Sequence, residues 1–348
     1  MRAVMLRPGE PGSLRLEELP EPAMSPDALQ VKALAVGVCG TDRELIEGEY
    51  GEAPPGRRAL VLGHESLGQV MSAPAGSGFG PGDLVAGVVR HPDPVPCVPC
   101  SLGEWDMCRN GLYTERGIKQ ADGFCAERWT ARPEFAVKLP PALGLSGVLL
   151  EPASVLAKAW EQIETIARRS RWTPRRALVT GAGPVGLMAA LMGVQRGLEV
   201  HVMDHHPGGP KPVLVRRLGA EHHRKFPPFD PDLVIECTGS PQVVRQALER
   251  SAPAGVVCLT GLSGGAHHAS LDVAALNQAM VLENRVLFGT VNANLRHYRA
   301  AADALAAAPP DWLEAILTRR VPLERWSEAY EKRPDDVKTV LLFEDAWR

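Results

Sequence analysis

Hydrophobic and polar positions fall into two textures that change near Glu151. Before it, apolar residues come in short runs bounded by Gly and Pro. Residues 31–36 alternate partly with polar positions, Val70-Met71 is a second short run, and residues 84–89 follow the turn Gly80-Pro81-Gly82-Asp83. Such punctuation predicts many short strands, hence a small, partly open β-barrel. The first residues predict a short strand ending at Pro8-Gly9. After Glu151, Pro152 fits the first turn of a helix, and residues 153–169 carry the helix on without internal Pro or Gly. Buried-strand candidates then alternate with helices: strand 177–180, helix 185–195, strand 200–204, strand 233–237, helix 242–250, strand 256–260. This alternation implies a parallel, doubly wound sheet. The tail reads as a helix over 300–308, a helical stretch over 323–332 and a closing strand over 337–343. The expected class is α/β.

The turn between the first strand and helix of the second half is Gly181-Ala182-Gly183-Pro184-Val185-Gly186. Its context is that of a dinucleotide cradle: a strand before it, a helix after it, and Asp204 ending the next strand, near the expected spacing of about 20 residues. Gly181 permits the tight turn, Gly183 lets the backbone approach a pyrophosphate, and Gly186 lets helix and strand pack closely. Pro184 and Val185 start the helix whose N-terminal amides would meet the phosphates. Asp204 would accept from the adenosine ribose hydroxyls, which favours NAD over NADP, while His205 and His206 alongside would tolerate a 2′-phosphate if protonated. Thr238, just beyond strand 233–237, is assigned to the cofactor as well.

Composition narrows the partners. A formal net charge of −3 over 348 residues makes no electrostatic case for nucleic acid or an acidic membrane. No apolar run approaches the roughly 20 residues of a membrane span, and the first residues lack the long apolar stretch of a signal peptide. The expectation is a cytoplasmic protein. Seven cysteines, an odd number in a long chain, argue against a disulfide framework. Three of them, Cys97, Cys100 and Cys108, cluster, which favours metal.

Zinc takes thiolate, imidazole and carboxylate ligands. Cys39 and His64 suit it, with Glu65 and Glu151 as candidate carboxylates. Taken singly, each also reads as an ordinary residue: a buried thiol, a hydrogen-bonded core histidine, glutamates facing water. What joins them is the company they keep. The stretches Gly37-Val38-Cys39-Gly40-Thr41-Asp42-Arg43-Glu44, Leu62-Gly63-His64-Glu65, Gly80-Pro81-Gly82-Asp83-Leu84-Val85, Glu115-Arg116-Gly117-Ile118-Lys119, Asp122-Gly123-Phe124, Glu151-Pro152 with Ser154-Val155, the glycine fingerprint and Gly289-Thr290-Val291-Asn292-Ala293 run nearly end to end. Together they resemble the zinc-containing medium-chain dehydrogenase/reductase superfamily. The Glu115 and Asn292 motifs point to its glucose dehydrogenase branch.

The resemblance implies a GroES-like catalytic domain over 1–152, completed by 294–348, with a Rossmann domain inserted over 153–293. It implies a catalytic zinc on Cys39 and His64, with Glu65 and Glu151 as ligands or exchangeable ligands. Thr41 would hydrogen-bond the substrate oxygen and begin proton removal. The proton would leave through Glu44, Glu65 or water. Glu115, Glu151 and Asn292 would meet the sugar, and Asn292 also the nicotinamide ribose. Cys97, Cys100 and Cys108 match the superfamily's structural zinc lobe, but its fourth cysteine position holds Pro94. Asp93 or His91 is then the candidate fourth ligand, and a lobe of free thiols is the alternative. The implied reaction is hydride transfer from C1 of glucose or a related aldose to NAD(P), in a homo-oligomer (dimer or tetramer). The rival expectations are a polyol, secondary alcohol or threonine-type substrate on the same fold, and a nucleotide-binding protein without catalysis.

Overall fold

The computed structural model describes residues 1–23, 25–263 and 269–343. They form two compact units, Met1–Ser154 with Asn292–Arg348, and Val155–Val291.

The first unit is organised around strand Leu29–Val38. Residues 33–38 are all buried, as the apolar run through this strand demands. Its neighbours give the sheet order Ala136–Leu139, Leu84–Gly87, Glu65–Ser72, Leu29–Val38, Thr339–Leu342, Arg319–Pro322, with Arg128–Ala131 also paired to the central strand. The register decides what meets at one end. Gly37 lies opposite Glu65 on one side and Val340 on the other. The strand then runs out at Val38, so Cys39, Glu65 and Lys338 arrive together from three strands. Gly37 is there because nothing larger fits: a Cβ would lie 2.0 Å from Glu65 Oε2 and 2.8 Å from Lys338 Cε.

The second unit is a six-stranded sheet, ordered Glu221–His223, Glu199–Met203, Arg176–Thr180, Leu233–Glu236, Val256–Leu259, Val286–Gly289. Every pairing is parallel. In sequence order this is 3-2-1-4-5-6, the doubly wound order whose reversal point binds dinucleotides. Helices Pro184–Gln195, Pro210–Arg217, Pro241–Glu249 and Val273–Leu282 connect the strands.

Several elements differ from expectation. Strand Glu221–His223 is polar throughout and gives no apolar signal. Helix Val273–Leu282 is apolar but buries none of its residues, so it shows no amphipathic period. Residues 323–330 form a 3₁₀ helix kinked at Arg325 rather than a regular α-helix. Helix Leu150–Ala167 continues from a 3₁₀ segment, Pro141–Leu149. The combined stretch Pro141–Ala167 is long and apolar enough to cross a membrane, contrary to the reading of the runs, but 78% of its apolar window is buried within the protein.

Gly37→Ala tests the register. Its methyl would occupy the place of the Glu65 carboxylate, so we expect a loss of about 1–3 kcal/mol in denaturant unfolding, the usual cost of overpacking. Unchanged stability would show that the two side chains pass elsewhere.

Candidate active site

Cys39 caps the N-terminus of helix Gly40–Ile46, immediately after the central strand. Its Sγ lies 3.0 Å from His64 Nε2. A carboxylate oxygen of Glu65 completes a trio whose ligand atoms all lie within 4.8 Å of one another. His64 and Glu65 are 4% and 2% exposed. The other ring nitrogen, His64 Nδ1, faces Asp42 Oδ1 at 3.5 Å, and Asp42 Oδ2 accepts from the Cys39 backbone N–H at 2.9 Å. Asp42 therefore orients both members of the trio, the role carboxylates play behind metal-binding histidines. Lys338, fully buried, forms an ion pair with Glu65 and donates to the Val38 carbonyl at 3.2 Å.

The electrostatics favour a cation here. Burial pulls His64 down, but Cys39 and Asp42 beside it overrule burial and hold the imidazole well above its ordinary range. Burial likewise raises Asp42, and His64, the Cys39 N–H and Lys338 reverse the sign, so it stays below the usual carboxylate value. The donor set is one thiol, one imidazole and one carboxylate, the mixture zinc accepts. Glu151, at the start of helix Leu150–Ala167, is near enough to interact with His64 and Glu65, and is not one of the converged trio. Burial, reinforced by the Glu65 charge, pushes it up to about 7.

Thr41 acts on the Tyr50 hydroxyl, and partial burial of that phenol, on a residue 40% exposed overall, pushes it up to about 12. Glu44, on the same helix, acts on Tyr50 through its charge. Its own carboxyl is raised by burial and by Glu49 and Glu47. Elsewhere in this unit Glu115 and Asn292 meet directly: Asn292 Nδ2 donates to Glu115 Oε1 at 2.6 Å. Arg90 donates to the same oxygen from Nε at 3.0 Å and Nη2 at 2.9 Å. Asn292 holds a left-handed backbone (φ 59), and its own Oδ1 accepts from Ala293 N at 2.8 Å. Tyr298 links the two groups. Its buried hydroxyl accepts from Val89 N at 3.2 Å, and burial together with the charges of Glu151 and Glu115 lifts its pKa well above normal.

The three cysteines converge as expected, with sulfurs of Cys97, Cys100 and Cys108 within 4.8 Å. N–H donors from Arg109 and Cys100 bring Cys97 down to about 7, and burial pushes Cys100 up to about 12. Asp93 does not complete the set. Its carboxylate accepts from Val95 N at 2.8 Å and Asn110 Nδ2 at 2.7 Å, which holds it in the turn around Pro94. His91 stacks on Phe135 with ring centroids 4.1 Å apart and bonds the Val88 carbonyl. The lobe thus brings three thiols together, while Asp93 and His91 make bonds of their own beside it.

In the second unit, Gly181 takes φ 91, and a Cβ on Gly186 would fall 1.9 Å from the Gly181 carbonyl oxygen. Nothing lies within 4 Å of a Cβ on Gly183, which caps the helix Pro184–Gln195, with Val185 next in its first turn, so the backbone face for a phosphate is open. Asp204 is held by bonds within the protein. Oδ2 accepts from Ala182 N at 2.8 Å, and Oδ1 accepts from the backbone and ring nitrogens of His206 at 2.9 and 2.5 Å. Its first duty is to tie the glycine loop to the next strand. Thr238 is fixed by Glu236, fully buried, which also accepts from Thr180 at 3.1 Å and Gly239 N at 3.1 Å. Sequence patterning gave no role to Asp42, Lys338, Tyr50, Arg90 or Glu236.

Comparisons with known proteins agree with this geometry. The family profile described as Glucose dehydrogenase C-terminus matches residues 145–343, and that described as Alcohol dehydrogenase GroES-like domain matches residues 25–141. A glucose 1-dehydrogenase of Thermoproteus tenax is 41% identical over 352 residues, covering 98% of this chain and 99% of its own. One of Methanocella arvoryzae is 38% identical over 355 residues with the same coverage. Among solved structures, Haloferax mediterranei glucose dehydrogenase in complex with NADP, Zn and gluconolactone superposes with a TM-score of 0.91 at 30% identity, covering 99% of both chains.

Asp204→Asn separates loop anchoring from ribose recognition. Because the carboxylate holds Ala182 and His206, we expect the KM of NAD and of NADP to rise together by about tenfold, the worth of one charge-assisted bond. A rise confined to NAD would mean that Asp204 acts on the ribose alone.

Proposed function

The chain belongs to the zinc-containing medium-chain dehydrogenase/reductase superfamily, in its glucose dehydrogenase branch, and on that premise we propose that it oxidises glucose or a related aldose at C1 to the aldonolactone. The observation that carries this reading is the convergence of half-buried Cys39 with buried His64 and Glu65 in the same unit as the Glu115–Asn292 pair. Zinc held by Cys39 and His64, with a carboxylate from Glu65 or Glu151, supplies a Lewis acid that lowers the pKa of the C1 hydroxyl. The Gly181–Gly186 turn would hold the pyrophosphate of a nicotinamide dinucleotide, which would supply the hydride acceptor for C1, and the hydroxyl proton would go to the protein.

Thr41 would give its own hydroxyl proton to Tyr50 as it receives the substrate's, and Tyr50 would release its proton outward in the same step, so that both hydroxyls end neutral. Glu44 stands beside Tyr50 as the next group outward. The bonds to Glu115 fall on Oε1, which leaves Oε2 to meet a sugar hydroxyl, and Asn292 offers its amide alongside. A sugar site needs such fixed polar groups, since an apolar pocket discriminates hydroxyls poorly. Either NAD or NADP serves, because Lys211, 3.8 Å from the Asp204 carboxylate, offsets the repulsion it exerts on a 2′-phosphate. The three-thiol lobe is a structural zinc site whose fourth ligand is water or is absent.

Exposed Val273, Val281 and Leu282 on helix Val273–Leu282, with the edge strand Val286–Gly289 and exposed Val291, support a homo-oligomer joined through the second unit. We take its setting to be cytoplasmic.

Initial rates with glucose, galactose, xylose, xylitol and threonine, each with NAD and NADP, test the assignment. An aldose should give the highest kcat/KM, and a preference for xylitol or threonine would overturn it. Glu115→Gln should raise the KM for the sugar about tenfold or more while leaving the nucleotide KM unchanged. An unchanged sugar KM would remove Glu115 from the substrate site.

A further inference from the structure

A second group of metal-competent side chains lies at the edge of the parallel sheet. Strands Glu199–Met203 and Glu221–His223 pair in parallel with His201 opposite Glu221 and Met203 opposite His223. Alternation along a strand puts residues two apart on one face. Glu199 and His201 therefore share a face with Glu221 and His223. His201 Nδ1 lies 2.9 Å from His223 Nε2. The Glu221 carboxylate straddles the pair, with Oε2 3.6 Å from His201 Nδ1 and Oε1 3.6 Å from His223 Nε2.

Three features go beyond a chance contact. His201 is 3% exposed, and its Nε2 lies 2.9 Å from Glu199 Oε1. The carboxylate can only accept, so Nε2 carries the proton and Nδ1 presents its lone pair to His223 and Glu221. That is the arrangement in which a carboxylate behind a histidine fixes the tautomer and orients the ring toward a metal. Next, ligands at about 2.0–2.1 Å from a tetrahedral ion stand about 3.3–3.4 Å apart. The observed 2.9 and 3.6 Å bracket that spacing, and the ligand atoms of all three groups lie within 4.8 Å of one another. Finally, the site is both fixed and accessible. The His201 ring packs on Phe229 at 4.5 Å between centroids. The Glu221 side chain is 66% exposed, and His223 lines an open surface pocket with His205 and Phe226.

We propose that His201, His223 and Glu221 form a binding site for a divalent transition metal, with Glu199 positioning His201. Two imidazoles and one carboxylate suit Zn²⁺, Co²⁺, Ni²⁺ or Cu²⁺ and disfavour Mg²⁺ or Ca²⁺. The site is separate from the Cys39 trio and from the three-thiol lobe, and contains no sulfur.

The test uses the whole protein loaded with excess zinc, dialysed, and analysed for zinc per chain, beside His223→Gln and Glu221→Gln. Neither residue belongs to the proposed active site, so glucose turnover should stay at the unsubstituted level. We expect one zinc fewer in His223→Gln, and zinc at this site held about tenfold or more weakly in Glu221→Gln. Glu199→Gln should weaken it by about 10–100-fold, the usual effect of losing an orienting carboxylate. Cobalt bound at this site should add visible d–d bands with no near-ultraviolet thiolate band. If His223→Gln fails to fold, the exposed Glu221→Gln carries the comparison. Equal zinc content and equal affinity in all four proteins would overturn the proposal and leave the pair as a histidine–histidine hydrogen bond.

Discussion

A buried ion pair, Lys338 with Glu65, sets the terms for the first unit. Both side chains are almost wholly removed from water. Either charge left alone in that interior would cost several kcal/mol, so each requires the other. The requirement reaches into the backbone. The pair lies across Gly37, where a single methyl would displace it. The strand that ends just beyond Gly37 delivers Cys39, and the residue before Glu65 is His64. Chain register, one glycine and one lysine from the far C-terminal segment thus hold a soft donor, an imidazole and a carboxylate at one point.

A related logic, a carboxylate satisfied by fixed donors, recurs at other positions. Asp42 binds Cys39 through its backbone and His64 through its ring. Arg90 and Asn292 fasten one oxygen of Glu115. Glu236 gathers Thr180, Thr238 and Gly239 beside the glycine turn. Asp204 ties that turn to the neighbouring strand. In every case the group that would touch a ligand is held by a second buried group. That is what keeps a site within the fraction of an ångström its chemistry needs.

Legibility from sequence followed local signal. The glycine turn, the helix after it and the alternating strands were readable because strand, turn and helix are contiguous and each has a period. The three thiols were readable from spacing. The Cys39 and His64 motifs carried meaning only through resemblance, because no local pattern says that residues 25 apart in sequence will meet at 3.0 Å. Lys338 was hidden for the converse reason: a lysine in an apolar strand gives no sign of its partner 273 positions earlier, although its burial demands one. Asp42 was quoted within its motif, and its part appears only once the helix cap forms. The Asp204 expectation came from its strand-end position and spacing, and the bond by which His206, named beside it, holds one oxygen shows only in the folded loop. Asp93, the candidate fourth ligand, accepts from Asn110 and the backbone of Val95, bonds that spacing alone does not reveal.

The central claim is that one ion is gripped jointly by the Cys39 sulfur and the His64 imidazole. Cobalt(II) substitution measures it most directly, with the near-ultraviolet thiolate-to-cobalt band compared between the protein and Cys39→Ser. The account predicts that Cys39→Ser loses the part of that band due to a single sulfur and keeps the contribution of Cys97, Cys100 and Cys108, with NAD(P) still bound. An identical thiolate band in the two proteins would contradict it.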